Sequence, residues 1–133
     1  MKKLILLCSI LFSAYAFAQV EVTELNEIEI GQDKEVERHW HNFGMVRVNT
    51  RSYASYGLKN TGTTPMTFVS ARISGIDFYA SHNCGGVLEP QERCIIRIEF
   101  APFSQGYKTG ALLFTYVEDY QLYFDLSGNA TRL

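Results

Sequence analysis

The sequence has little that would build helices or membrane spans. No stretch of about ten residues keeps the apolar spacing of an amphipathic helix. After residue 18, no segment approaches the roughly 20 apolar residues that cross a bilayer. Internal repeats and low-complexity tracts are also missing. These absences exclude helical bundles, repeat solenoids and membrane insertion of the chain beyond residue 18, and they leave a β-rich globular fold.

Signatures of catalysis and of nucleic-acid binding are equally scarce. The chain has no G-x-S-x-G nucleophile elbow and no glycine-rich loop of the kind that holds phosphates. Glu118 and Asp119 are adjacent in a predicted turn, which does not favour the facing carboxylate pair of a glycosidase. With 12 basic and 14 acidic residues, the net charge of −2 does not favour DNA, RNA or anionic membranes as partners. We therefore expect neither enzymatic activity nor a cofactor.

The N-terminal residues have the pattern of a secretory signal peptide. Lys2 and Lys3 precede an apolar run over residues 4–12, and Ala16 and Ala18 supply a small-x-small cleavage site. Cleavage after Ala18 would remove residues 1–18 and leave 115 of the 133 residues, a common size for one domain. We therefore expect export to the periplasm, or to the cell surface and the extracellular space.

Two other interpretations of the N-terminus are open. The apolar run could be a membrane anchor, although it is short for a bilayer span. Cys8 could be the lipidated residue of a lipoprotein, but Leu7 stands where a small residue is required. Cleavage would remove two of the 12 basic residues and move the net charge from −2 to −4, which favours solubility.

The cysteines predict a disulfide. Cleavage would leave two of the three, Cys84 and Cys94, and an even count in an exported chain indicates a disulfide bond. A metal site is the alternative, but two thiols without further ligands at familiar spacing favour it poorly. His82 could pair with Cys84 for catalysis, and a disulfide would remove the thiolate that such catalysis needs.

Strand patterns dominate the chain after residue 41. Residues 19–41 are acidic, with alternating apolar residues such as Ile28 and Ile30, and they are either a charged, partly mobile leader or one short strand. From residue 42 onward, β-branched and aromatic residues alternate between turn residues. Seven strands are predicted, at 44–49, 53–59, 66–74, 77–81, 94–100, 110–117 and 121–127. Residues 42–133 are thus predicted to form one antiparallel, immunoglobulin-like β-sandwich.

The last two predicted strands form a hairpin over residues 110–127. Alternation places six side chains inward: Leu112, Phe114, Tyr116, Leu122, Phe124 and Leu126. The predicted register pairs Phe114 with Phe124 and Leu112 with Leu126, with residues 118–120 as an odd-numbered loop. This register turns Leu113, Thr115 and Tyr123 outward, with Thr115 facing Tyr123, as a candidate patch for a partner. The alternative for this patch is an ordinary solvated sheet face.

Several motifs stand in an order that resembles the ASH family of immunoglobulin-like domains, which grade into choice-of-anchor D domains in exported bacterial proteins. The matching segments are Phe43–Val48, Leu58–Gly62, Ile73–Phe78, Cys84, Leu88–Pro90, Cys94–Pro102, Gly106, Leu112, Phe114 and Leu126–Gly128. Gln91 departs from the pattern, because the family usually has glycine after this proline. The resemblance covers about residues 42–129 and implies a seven-stranded sandwich that serves as an interaction or spacer unit. It implies no catalytic residues.

One histidine pair is a weak candidate for a metal site. His39 and His41 are two residues apart, so on a strand they would share a face, and Glu37 or His82 could add a third ligand. The simpler interpretation is a polar strand or leader around Trp40, at one end of the sandwich. We therefore expect no metal.

The sequence predicts an exported, non-enzymatic module that binds an unknown protein partner in the cell envelope or at the surface. Unpaired backbone groups at the sheet edges would suit strand addition by the partner. One alternative is a structural subunit of an envelope assembly, which predicts a large apolar self-interface. Another is a small metal- or glycan-binding protein that uses His39, His41 or surface tyrosines. The partner, the oligomeric state and the choice between periplasm and exterior stay open.

Overall fold

A computed structural model of the chain describes residues 26–31, 36–118 and 120–132. Nine strands occur in these ranges: β1 (Asn26–Ile30), β2 (Val36–Arg47), β3 (Ser52–Asn60), β4 (Met66–Ser74), β5 (Phe78–His82), β6 (Val87–Leu88), β7 (Arg93–Phe100), β8 (Gly106–Tyr116) and β9 (Tyr120–Thr131). The same ranges contain no helix, and so no helix of a length and apolarity that would span a membrane. The predicted signal peptide lies outside the described residues.

The strands form two sheets, one with the order β1-β3-β7-β5 and the other with the order β2-β9-β8-β4-β6. Most neighbours are antiparallel, as the hairpin patterns predict. Two pairs are parallel: β1 with β3, and β2 with β9. The first strand of each sheet therefore joins a sheet that is otherwise antiparallel. The predicted all-β sandwich is confirmed, but the prediction that it is antiparallel throughout is wrong, because β1 and β2 each pair in parallel with a strand far along the chain.

The core lies between the two sheets, and β7 shows best how the sequence builds it. Its alternating residues Cys94, Ile96, Ile98 and Phe100 are all buried, and each residue between them is more exposed. They belong to one buried cluster that also contains apolar side chains of β8 and β9. Burial of one such side chain stabilises the fold by about 1.5–3 kcal/mol. Alternation on β7 therefore determines which face of the four-stranded sheet packs inward.

The strand count differs from the seven that the sequence predicted: β6 was not expected, and β1 is the short strand that was one of the two alternatives for residues 19–41. In β1, Ile28 and Ile30 are buried, while Glu27 faces out and its carboxylate binds Arg93 at 3.0 Å. Because glutamates are frequent in residues 19–37, the alternation of Ile28 and Ile30 did not by itself decide between a strand and a charged leader. β6 has only two residues, too few for a periodic signal.

The boundary expected at residue 42 falls inside β2. This strand begins at Val36 and runs to Arg47, so residues 36–41 belong to the five-stranded sheet. Its inner face carries Glu37, His39 and His41 in place of aliphatic residues. The polar inner face explains why the apolar alternation of this strand was recognised only from residue 44.

The final hairpin has the predicted faces but a different register. All six side chains expected inward are buried. The pairs, however, are Leu112 with Phe124 and Phe114 with Leu122, so the predicted register is wrong by two residues. Tyr120 is the cause: it lies in β9 opposite Tyr116 and is buried, whereas it was expected in the loop. The connection is therefore residues 117–119, an odd number, as predicted.

A buried asparagine stabilises the turn after β3 through side-chain hydrogen bonds. The side-chain amide of Asn60 donates to the carbonyls of Thr64 and Leu88, each at 2.9 Å. Its Oδ1 accepts the backbone N–H of Gly62 at 2.9 Å. Because Asn60 is fully buried and its amide atoms have partners, it stabilises the predicted Asn60–Gly62 turn and ties it to β6.

Candidate functional site

Cys84 and Cys94 are joined by a disulfide, as the sequence predicted. Their Cα–Cα distance is 5.1 Å, and the bond links the segment after β5 to the start of β7. His82 lies beside this bond, and its Nδ1 accepts the backbone N–H of Cys84 at 3.0 Å. The ring of His82 also packs 5.0 Å from the rings of Phe68 and Phe114. With the thiolate consumed and the imidazole hydrogen-bonded, this pair has a structural role.

His39 and His41 share a face of β2, as the sequence suggested, but each has its own protein partner. The Nε2 of His39 lies 3.0 Å from a carboxylate oxygen of Glu37. The other oxygen of Glu37 accepts the hydroxyl of Tyr120 at 2.7 Å. His41 Nδ1 lies 2.8 Å from the hydroxyl of Tyr56. Within the described ranges, no three histidine, cysteine, aspartate or glutamate side chains converge in a way that could hold a metal ion.

Partial burial changes the protonation chemistry of this inner face. Burial lowers the pKa of His41 from its ordinary value of 6.5, which favours the neutral imidazole beside Tyr56. Burial is also the main cause that raises the pKa of Tyr120, and its hydrogen bond to Glu37 adds to the effect. The face is therefore a hydrogen-bonded polar lining at the edge of the sandwich.

The patch predicted from Leu113, Thr115 and Tyr123 lies on the outer face of the five-stranded sheet, but all three residues are half-buried. The pairing within it also differs from the prediction. Leu113 faces Tyr123, and Thr115 faces Gln121. This correction follows from the two-residue difference in register described above.

Two arginines flank this patch. Arg38, Tyr123, Leu113 and Arg72 lie in one row across β2, β9, β8 and β4. The guanidinium of Arg38 lies 4.5 Å from the ring centroid of Tyr123. Asp125 holds it there, with Nε to Oδ2 at 3.1 Å and Nη2 to Oδ1 at 3.3 Å. The aromatic ring is thereby covered by a side chain of the protein itself.

A more open site lies farther along the same face, beside this row. A groove of about 530 Å³ crosses β2, β9 and β8, with lining residues that include Trp40, Asn42, Tyr107, Thr109 and Ser127. Trp40 is 70% exposed and Tyr107 is 69% exposed. The residues between these two aromatic side chains are small and polar. Two amphipathic rings beside a polar floor are typical of a recognition surface.

Strand geometry explains why the two rings stand apart. β9 lies between β2 and β8, so Trp40 and Tyr107 are on strands about 10 Å apart. Trp40 is level with Asp125, and Tyr107 is level with Asn129, which adds about 13 Å along the strands. Met45, opposite Asn129 on β2, is 71% exposed and extends the apolar surface. We call Trp40, Met45, Tyr107 and the groove between the two rings the aromatic groove.

Sequence reasoning missed the aromatic groove. Trp40 was interpreted only as the residue between two histidines, and Tyr107 lay before the predicted start of its strand at residue 110. A usable signal was present, because Trp40 is the only tryptophan of the chain and alternates with the polar residues of β2. Its approach to Tyr107 depends on the parallel pairing of β2 with β9, which the sequence did not predict.

The outer face of the four-stranded sheet also carries tyrosines, and one of them, Tyr53, contacts an arginine. The guanidinium of Arg97 lies 4.1 Å from the ring centroid of Tyr53. Glu99 lies opposite Tyr53 and Tyr79 in neighbouring strands and binds Arg51 at 3.3 Å. The hollow among these residues measures only about 170 Å³. Charged and aromatic groups on this face mostly bind one another.

A buried ion pair links the turn before β5 to β8. The carboxylate of Asp77 is almost completely buried and lies 3.3 Å from Lys108 Nζ. Lys108 also donates to Ser104 Oγ at 2.8 Å. The backbone carbonyl of Asp77 accepts the N–H of Ala101 at 2.9 Å. These contacts join three segments of the sandwich, which indicates a structural role.

Neither a protein-family profile nor a curated protein matches this sequence. Solved structures match it in fold. The ASH/PapD-like domain of human CEP192 (PapD-like domain 7) is 17% identical with a TM-score of 0.53, over 73% of this chain and 84% of that one. A Porphyromonas gingivalis protein of unknown function is 11% identical with a TM-score of 0.58, over 72% of this chain and 49% of that one.

A third likeness is to a part of a larger protein. The secreted serine protease VesC from Vibrio cholerae is 14% identical with a TM-score of 0.55, over 67% of this chain. The chain spans only 21% of the length of VesC, so the match covers a minor part of that protein. At these identities the comparisons show the fold alone: an immunoglobulin-like sandwich of the ASH and PapD-like type.

Proposed function

We propose that this protein is an exported, non-enzymatic module that binds a partner protein through the outer face of its five-stranded sheet. The observation that carries the proposal is the aromatic groove, where Trp40, Met45 and Tyr107 are each about 70% exposed on one face. Tryptophan and tyrosine dominate the binding energy of protein interfaces, and methionine is enriched there. Exposed as a group beside a groove, they have the composition of an interface core.

The rest of this sheet face supports a contact limited to the groove. Arg38 is neutralised by Asp125 and covers Tyr123, so this ring offers little free apolar surface to a partner. Leu113 is half-buried and lies between Tyr123 and Arg72. A partner would therefore gain most by covering Trp40 and Tyr107, whose burial would remove large apolar area from water.

The non-enzymatic part of the proposal is supported by the side chains that catalysis would need. Both mature cysteines are in the disulfide, and His39, His41 and His82 all have hydrogen-bond partners. The likeness to VesC contributes no catalytic residues, because it concerns the fold of a minor part of that protease.

Export is supported by the disulfide, because such bonds persist mainly in oxidising compartments. The cleavage pattern that ends at Ala18 is consistent with it. We therefore propose the periplasm or the cell surface as the place of action. The intact mass of the protein isolated from its native envelope checks this, since cleavage after Ala18 removes a defined mass.

The experiment is capture of the native partner from envelope extracts by purified protein. The variant Trp40→Ala with Tyr107→Ala should lose capture while its unfolding midpoint stays close to that of the unmodified protein, because both side chains are exposed. The matched control is Tyr79→Ala on the opposite outer face, where an exposed tyrosine is also removed. Undiminished capture by a folded double variant would remove the aromatic groove from consideration.

A further inference from the structure

The aromatic groove has free hydrogen-bond donors, but its best acceptors are already used. Both carboxylate oxygens of Asp125 accept from Arg38, at 3.1 and 3.3 Å. The side-chain oxygen of Asn42 accepts the N–H of Gly44 at 2.9 Å, which leaves its NH₂ group as a donor. The indole of Trp40 can only donate. The hydroxyls of Tyr107, Thr109 and Ser127 can take either role.

A ligand for this groove should therefore supply acceptors and few donors, and it should carry no net charge, since Arg38 and Asp125 neutralise each other. We propose that the aromatic groove binds a proline-rich segment in the polyproline II conformation. Such a segment has free backbone carbonyls, and each proline lacks an N–H. Proline rings pack on the exposed faces of tryptophan and tyrosine, which is how aromatic grooves recognise this conformation.

The dimensions agree with such a segment. Trp40 and Tyr107 are offset by about 10 Å across the sheet and about 13 Å along it, which places their Cα atoms about 16 Å apart. Polyproline II rises about 3.1 Å per residue, so about five residues join the two rings. Prolines near both ends of such a pentapeptide would each meet one aromatic side chain.

Two other occupants are less favoured by the same contacts. A neutral oligosaccharide presents many hydroxyl donors, and both oxygens of the groove carboxylate, Asp125, are already engaged by Arg38. An added β-strand would need a regular edge on β2. That edge is interrupted by the irregularity between Asn42 and Met45, where Gly44 has a φ of 75°. A polyproline II segment needs no such ladder.

The test uses the single tryptophan of the chain as the reporter. An oligoproline peptide about ten residues long, a glycine-serine peptide of equal length and a neutral oligosaccharide are titrated separately into the purified protein. We expect a saturable change in Trp40 fluorescence with oligoproline alone. Tyr107→Ala should weaken this binding about tenfold or more, as expected for an aromatic anchor. Asn42→Asp, which replaces a donor by an acceptor, should weaken it severalfold, and Tyr79→Ala should not change it.

The proposal rests on the proposed function, and the outcomes separate the two. If capture of the native partner requires Trp40 but oligoproline does not bind, the binding face stands and the proline-rich class is wrong. If oligoproline binds and capture is unaffected by the Trp40 and Tyr107 changes, the peptide site stands and the proposed partner face is wrong. A response to the oligosaccharide in place of oligoproline would overturn the inference. So would oligoproline binding that survives both Tyr107→Ala and Asn42→Asp.

Discussion

β7 and β2 differ in the contacts that hold each strand in the sandwich. β7 lies between β3 and β5, and its inner face is entirely apolar and buried. Among the described strands, β2 pairs only with β9, and its inner face begins with Glu37, His39 and His41, which are partly exposed. The outer face of β2, in contrast to its inner face, carries large apolar side chains, because Trp40 and Met45 are exposed to solvent. The strand whose inner face begins with polar side chains thus carries Trp40 and Met45 of the aromatic groove.

The contacts of β2 show what replaces apolar burial. Glu37 accepts from Tyr120 and contacts His39, and His41 contacts Tyr56. A hydrogen bond contributes about 1 kcal/mol net, less than the burial of an isoleucine side chain. We infer that β7 determines the stability of the fold, whereas β2 contributes less to stability and more to recognition.

The largest effect that this comparison predicts comes from β7. Ile98→Ala should lower the free energy of unfolding by about 2–5 kcal/mol, because it removes a fully buried side chain and leaves a cavity. Trp40→Ala on β2 should change it by no more than about 0.5 kcal/mol, since the indole is mostly exposed. Urea unfolding of the two variants, with the disulfide intact, measures both values. Equal losses would show that β2 is a structural strand like β7.

Sequence alone could predict nearly all of β7 but only the last part of β2, from residue 44, for a physical reason. Strict alternation of apolar and charged residues on β7 specifies a buried face, and every predicted inward residue there is buried. β2 buries ionisable groups whose partners, Tyr56 and Tyr120, lie on other strands, so no local pattern reveals them. The aromatic groove was missed for the same reason, since Trp40 and Tyr107 are brought together by non-local pairing. The predicted hairpin register was wrong because Tyr120, expected in the loop, is buried in β9 and its hydroxyl donates a hydrogen bond to Glu37.

A smaller effect is expected from the disulfide. Replacing Cys84 and Cys94 by serine should lower the free energy of unfolding by about 2–3 kcal/mol, through the added freedom of the unfolded chain. Because the bond joins β7 to the segment after β5, loss of the bond should increase local opening in β5 and β7 and not in β2. Hydrogen exchange under native conditions, read peptide by peptide, checks this. Faster local opening in β2 to the same degree would mean that the two strands are not independent.

A still smaller effect on stability should depend on pH and should arise from β2. The pKa of His41 is lowered from 6.5 by burial, so the unfolded chain binds its proton more readily than the folded chain. The contribution of His41 to the free energy of unfolding should therefore be constant above pH 6.5, fall as the pH drops towards the lower folded pKa, and level off below it. His41→Gln, which keeps a side chain that can hydrogen-bond to Tyr56, should reduce this fall. A variant whose pH profile matches that of the unmodified protein would assign the dependence to other groups.

The smallest effect concerns the turn that leads into β7. Gln91 has a φ of 73°, a left-handed conformation that costs a non-glycine residue about 1–2 kcal/mol. Glycine avoids this cost but loses about 0.5–1 kcal/mol through the greater freedom of the unfolded chain. Gln91→Gly should therefore stabilise the protein by about 0.5 kcal/mol. The hydrogen bond from the N–H of residue 91 to the Asn60 carbonyl, 2.6 Å long, can persist because it uses only backbone atoms. Gln91→Ala is the matched control and should have almost no effect, because alanine bears the same conformational cost. Thermal unfolding of the three proteins decides it, and equal stabilisation by alanine and glycine would point to the glutamine side chain instead of the backbone.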